Sequence, residues 1–371
     1  MYLFAIVFFS TFVLIEAFDP NLTKKYKAVF AALCYFFLIF HDGFRWETGC
    51  DWIPYSLYFE NLLTNNSISN PFFEVGFYLF MLPIRLITDN YSLYLIIHAV
   101  VFYTALFVII FRLSPAPFLS ILLLYMITVP IMGTNRQLLA LAFYIWGLYH
   151  LTQGDKIRFC IMTAVACCFH MSAFLCFFVL FLNRNIKQWI QLTLLTISIL
   201  IAFSGIVNML VPYLAFLITD DTILMKFDVY TSSEYTNVTL LSTTISLARK
   251  LIWIGLLMLF DHYIKEKPRH YYLFYNLYFI SILFYIFCNG TILQILVSRA
   301  LIYFSIAEIF VVPYVVYVFA QNRGKALVIL FIIAYAYISI EKSFSNYGEG
   351  NDLFKPYKGI LINNDYQRYD Q

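Results

Sequence analysis

Apolar runs of roughly twenty residues recur along this whole chain, and that recurrence constrains its fold more than any single motif. A run of that length crosses the hydrocarbon core of a bilayer as a helix, the form that satisfies every backbone hydrogen bond within its own segment. No stretch between the runs is large enough for a soluble domain, and only 12% of the 371 residues are charged. Soluble domains carry about 25%. The expected fold is therefore an all-α, polytopic transmembrane helical bundle of about 11–13 membrane segments, with an outer-face cavity formed by loops and broken helices. Residues 1–344 form the integral membrane domain and 345–371 a short polar C-terminal tail.

Candidate spans are 2–18, 28–41, 72–88, 91–111, 115–132, 137–152, 159–182, 189–218, 244–264, 271–288, 294–320 and 326–344. The first lacks the basic start and the small-residue cleavage site of a signal peptide, so it is read as a retained helix. Six of the seven cysteines lie in apolar runs and none has metal or redox spacing, which makes them small hydrophobes. The net charge of +3 is spread over short loops and gives no footprint for nucleic acid.

Lys and Arg in short loops set the orientation. Lys24, Lys25 and Lys27, then Lys156 with Arg158, Lys265 to Arg269, and Arg323 with Lys325 mark cytoplasmic loops. The long loops 42–71 and 219–243, with one basic residue each, face outward. Four full crossings between 71 and 153 would put Lys156 on the wrong side, so one segment should enter and leave on the outer face. The choice is 72–88, which carries Glu74, Pro83 and Arg85. The same parity asks the run 189–218 to break near Ser204 and Gly205, or else 159–182 is not a simple span.

Against this apolar background the polar outliers stand out. The stretch His41 to Tyr55 groups Arg45, Trp46, Gly49, Asp51, Trp52 and Tyr55. The plain alternative is an interfacial ion pair with Trp anchors. Glu74 and Arg85 lie in an apolar segment, where an ionisable group costs roughly 2.5–3.5 kcal/mol and so faces a cavity or a partner unless it is wet at the interface. Arg136 precedes an apolar helix, against the helix dipole, and its fork of donors suits phosphate or carboxylate; otherwise it is a snorkelling anchor. His170 lies near the middle of an apolar helix as a catalyst or a hydrogen-bonded core residue, with Ser172 beside it. Arg299 and Glu308, nine residues apart in one run, fall on opposite faces of a helix and are not an obvious pair. There is no phosphate-binding loop, dinucleotide motif, zinc-hydrolase motif or nucleophile elbow.

At Arg45, Gly49, Asp51 and Tyr55 the sequence resembles the EpsG and Wzy-like family of bacterial polysaccharide polymerases, whose outer loop reads R-x-x-x-G-x-D-Y/W-x-x-Y. Glu74-Val75-Gly76-Phe77 resembles the family's E-x-G-F element and Asn135-Arg136-Gln137-Leu138-Leu139-Ala140 its R-Q-x-x-A helix start, with Leu138 where the family usually has Gly. Phe169-His170-Met171-Ser172-Ala173 resembles its F-H-x-S-A element, and Arg299 to Tyr303 its late R-x-x-x-Y element. The resemblance spans residues 45–303.

It implies a membrane glycosyltransferase in the bacterial cytoplasmic membrane that polymerises lipid-diphosphate-linked repeat units into O-antigen, capsule or exopolysaccharide. The partners are a polyprenyl-diphosphate-linked oligosaccharide donor and acceptor, the bilayer, and a chain-length regulator protein. Arg136 and Arg299, with Arg45 third, would stabilise the departing diphosphate. Asp51, then Glu74, then His170 would be the general base. Trp46, Trp52, Tyr55 and Tyr303 would contact sugar. No cofactor and no metal are implied. The rivals are a ligase acting on the same lipid and a flippase or transporter of the lipid-linked unit. The tail after Phe344, with Tyr347, Lys355, Pro356 and Tyr357, would lie outside and bind glycan, or be a disordered end.

Overall fold

The computed structural model describes residues 1–19, 21–63, 73–207, 209, 240–264, 267–288, 299–318, 324–345, 353–366 and 368. The outward loop expected at 219–243, as far as residue 239, lies outside the described residues, as do Lys265, Arg323 and Tyr347.

Fourteen α-helices make up the described chain. They are α1 Tyr2–Phe18, α2 Lys24–Gly43, α3 Trp52–Glu60, α4 Val75–Ile87, α5 Tyr91–Leu113, α6 Pro117–Thr128, α7 Asn135–Thr152 and α8 Lys156–Phe169. There follow α9 Gln188–Ser204, α10 Leu240–Phe260, α11 Tyr271–Cys288, α12 Leu301–Ser305, α13 Glu308–Val318 and α14 Gly324–Ser345. No β-strand occurs among the described residues. Helices α2, α5, α11 and α14 are each long and apolar enough to cross a membrane, and six shorter apolar helical segments accompany them. The protein is an all-α, multi-pass membrane protein.

Two compact units divide the chain. Residues 1–174 with 319–371 form one, and 175–318 the other. In the first, α5 packs between α2 and α7, α7 lies along α8, α4 leans on α8, and α1, α6 and α14 pack together. In the second, α11 is the central helix, touching α9, α10, α12 and α13. Asn276 on α11 donates to the carbonyls of Leu182 and Arg184, at 2.7 and 2.6 Å, and so ties down the turn before α9.

Several span boundaries match the apolar pattern closely, and three places differ. Part of the outer loop 42–71 is helical: α3 buries Trp52, Tyr55, Tyr58 and Phe59. These lie three, three and one residues apart, the face of a short amphipathic helix. Segment 159–182 is not one helix. It stops at His170, whose backbone turns extended, and resumes as the 3-10 helix Met171–Phe181. His170 therefore sits at a helix end, not in mid-helix. Run 294–320 is likewise broken into α12 and α13 at Ile306 and Ala307, so the opposite-face argument for Arg299 and Glu308 does not apply. The end of α9 at Gly205, with φ +68°, agrees with the break expected there. Helix α4 has 13 residues and rises about 20 Å, short of a ~30 Å hydrocarbon core.

Candidate functional site

The start of α7 is fixed first. Gly49 and Gly133 both have positive φ, +101° and +102°, and a Cβ on either would strike the backbone of the other's loop. The two turns can therefore touch, and the Cys50 N–H donates to the Met132 carbonyl at 2.7 Å.

Beneath that contact lies Arg45, 1% exposed. Its Nε donates to Asp42 Oδ1 at 2.9 Å and its Nη2 to Asn135 Oδ1 at 2.8 Å. Asn135 in turn donates from Nδ2 to the Tyr91 hydroxyl at 3.3 Å, while His98 Nε2 lies 3.0 Å from its carbonyl oxygen. A buried guanidinium needs both a counter-charge and acceptors for its fork, and Asp42 and Asn135 supply them. The diphosphate role expected of Arg45 thus meets a side chain turned into the protein, where it holds the residue before Arg136. Asp42, Asn135, Tyr91 and His98 were not singled out by the sequence, because each looks like an ordinary helix-end or core polar residue until the segments meet.

Arg136, one residue on, turns the other way. Its Nε donates to the Tyr55 hydroxyl at 3.1 Å and its Nη1 to Glu74 Oε2 at 2.5 Å. The guanidinium also lies over the rings of Phe73 and Tyr55, 4.9 and 5.8 Å from their centres. Arg136 and Glu74 remain 18% and 21% exposed, so a ligand can reach them. Glu74 Oε1 accepts the Met171 N–H at 3.2 Å, which connects the pair to the break after α8. Gly76 makes that approach possible: a Cβ there would stand 2.6 Å from the Cys168 carbonyl oxygen.

The α8 break is itself a local device. His170 N–H keeps its helical bond to the Ala166 carbonyl, but its Nδ1 lies 2.6 Å from the Ser172 hydroxyl and accepts the Ser172 N–H at 3.3 Å. With Glu74 on Met171, two amides leaving the helix are satisfied by side chains.

Asp51 takes the left-handed conformation at the N-terminus of α3, with φ 52°, one helical turn before Tyr55. Trp46 and Trp52 meet edge to face at 5.1 Å, and Trp52 contacts Tyr91 at 5.2 Å. Tyr55, Glu74, Arg136 and the His170 segment thus converge within the first unit. Arg299 and Tyr303 belong to the second, with Tyr303 fully buried in α12.

The tail is part of this architecture. Thr48 Oγ donates to the Lys358 carbonyl at 2.9 Å, the Trp46 N–H donates to the same carbonyl at 3.0 Å, and the Gly49 N–H donates to the Leu353 carbonyl at 2.8 Å. The Tyr357 hydroxyl donates to the His41 carbonyl at 2.6 Å, and burial pushes its pKa up. Glu47 Oε2 accepts from Lys358 Nζ at 2.7 Å and from the Arg368 N–H at 3.2 Å. Burial pushes the Glu47 carboxyl up, but those bonds and one to Trp46 outweigh it and hold the group below its ordinary value.

No curated protein and no solved structure matches this chain. The model of one family, described as the EpsG family, matches residues 28–358 and therefore takes in most of α2, all of α3 to α14, and every element of the cluster around Arg136. On that match the chain belongs to the EpsG family, a Wzy-like polymerase family.

Proposed function

We propose that this protein polymerises lipid-diphosphate-linked oligosaccharide repeat units at the outer face of the bacterial cytoplasmic membrane. The observation that carries the reading, beyond family membership, is the Arg136, Glu74 and Tyr55 cluster at the start of α7. A half-buried guanidinium at a helix N-terminus is suited to a diphosphate, and a carboxylate beside it to a hydroxyl proton.

In the proposed reaction the acceptor hydroxyl oxygen attacks the anomeric carbon of the donor. The carbon–oxygen bond to the diphosphate breaks, its electron pair leaves with the diphosphate, and the acceptor proton passes to a carboxylate. Arg136 receives the developing negative charge, which draws its guanidinium from Glu74 and frees that carboxylate as base. Asp51 is the second candidate base. Asp42, Arg45 and Asn135 act on the reaction through Arg136, by fixing where α7 begins. Arg299 and Tyr303 remain proposed diphosphate and sugar contacts. O-antigen, capsule and exopolysaccharide are the product classes this chemistry serves, and a chain-length regulator is the proposed protein partner.

The test is an incubation of purified protein with a synthetic polyprenyl-diphosphate oligosaccharide carrying the host's own repeat unit, resolved on a gel. The wild type should give a ladder of repeats, and Arg136→Ala should reduce it about a hundredfold or more, the cost of one oxyanion-stabilising donor. No ladder from the wild type would overturn the polymerase reading. Long glycan left on its carrier lipid in cells lacking the protein would favour a ligase instead.

A further inference from the structure

Beside the Arg45 network, on the tail side, lies a cleft of about 340 Å³ lined by Trp46, Asn90, Ser92, Lys358, Ile360 and Asn364. Its walls come from three separated parts of the sequence. These are the loop after α2, the N-terminal turn of α5, and the tail. Asn90 caps α5, its Oδ1 accepting the Ser92 N–H at 2.9 Å. That leaves the Asn90 Nδ2, the Ser92 hydroxyl and the whole Asn364 amide with no bond to a described residue. Lys358 is engaged with Glu47 and only 5% exposed, so the open polar groups of the cleft are neutral. An aromatic side chain beside uncharged amides and a hydroxyl suits a sugar, whose rings have an apolar face and an edge of hydroxyls that both donate and accept. Anionic phosphate would prefer the cationic start of α7. The volume falls within the roughly 300–1,000 Å³ of small-ligand sites.

We infer that this cleft is a glycan-binding subsite, taking sugar residues of a repeat unit away from its diphosphate, and that the tail helps to set which sugars fit. The inference deepens the proposed polymerase reading and rests on it for the identity of the glycan. The family match ends at residue 358, while Ile360 and Asn364 come after it. The far wall therefore belongs to this chain and not to the part matched by the family model, which is where selectivity for one repeat unit can reside. Trp46 contacts Trp52 and Trp52 contacts Tyr91, the acceptor of Asn135, so the cleft is joined by packed side chains to the residue that precedes Arg136.

The probe is the host's own repeat-unit oligosaccharide without lipid or diphosphate, titrated into the purified full-length protein and followed by saturation-transfer NMR. Wild type should bind it. Asn364→Ala should bind about tenfold more weakly, the loss of ~1.4 kcal/mol of hydrogen bonding. Ile360→Trp, which fills the cleft from an intermediate position, should not bind, while both tail variants keep the wild-type melting temperature. Equal binding by wild type and both tail variants would overturn the subsite, as would no binding by wild type. Neither result depends on polymer formation, so a missing ladder and a missing subsite are separate failures.

Discussion

Asp42 and Glu74 each pair with an arginine, and their burial predicts opposite consequences of removing them. Asp42→Ala would leave the Arg45 guanidinium charged and sealed, 1% exposed, without its counter-ion. Losing one partner of such a pair costs about 3–5 kcal/mol, so the variant should melt far below wild type in detergent, or fail to accumulate. Glu74→Gln keeps an oxygen for the Met171 N–H and lies where water can enter. It should keep nearly the wild-type melting temperature yet lose most of its polymer ladder. A stable Asp42→Ala or a fully active Glu74→Gln would contradict the parts given to them. Arg136 and Glu74 stood out in the sequence because a charge in an apolar setting announces itself, and Tyr55 because it closes the polar stretch from His41. Their convergence was not legible, since 62 residues separate Glu74 from Arg136 and periodicity has no reach across that distance. Asp42 and Asn135 were missed for a related reason: a polar residue at a helix end is ordinary until the buried arginine between them is seen.

At the scale of elements, hydropathy located the apolar runs well and was blind to how each run is wound. Run 159–182 is uniformly apolar around His170, yet only the first part is α-helical, and 115–132 finishes in a short 3-10 turn, Val129–Ile131. An α-helix and a 3-10 helix bury the same residue types, so what separates them is local bonding, here His170 with Ser172 and Glu74 with Met171. The short helix α3 escaped notice because its nine residues follow a polar loop and carry no long apolar run. Where α4 meets α8 the fit is set by Gly76. Gly76→Ala places a Cβ against the Cys168 carbonyl, a backbone atom that cannot rotate aside. The helices must then separate, at a cost of about 1–3 kcal/mol. The expected result is a lowered melting temperature together with loss of the ladder, because Glu74 is carried on the same turn as Gly76. A variant that is destabilised but fully active would mean that Glu74 does not need that position.

Across the whole chain, composition was enough to assign a multi-pass helical membrane protein, because lipid admits so few folds. The tail was a different matter: its polar and aromatic residues gave no period, and only the structure joins residues 353–368 to the loop after α2. That junction should make the far end of the chain a pH-dependent wall of the proposed glycan cleft. The Glu47 carboxyl is held below its ordinary 4.5 by Lys358 and the Arg368 N–H, so its folded pKa is depressed. A depressed carboxylate contributes stability that is fully present above the unfolded value and is lost as pH falls through the folded one. The tail should therefore stay docked from neutral pH down to about 4.5 and loosen below that, as Glu47 takes up a proton and weakens its bonds to Lys358 Nζ and the Arg368 N–H. A nitroxide at Leu361→Cys, a position 70% exposed, reads this as a rise in label mobility on acidification. With Glu47→Gln added, the label should be more mobile than wild type at neutral pH, though still restrained by the Thr48, Trp46 and His41 bonds, and change little across the titration, since the group that titrates is gone. A label that grows more mobile as pH rises through neutrality, or a Glu47→Gln tail as immobile as wild type, would show that this carboxylate does not hold the tail.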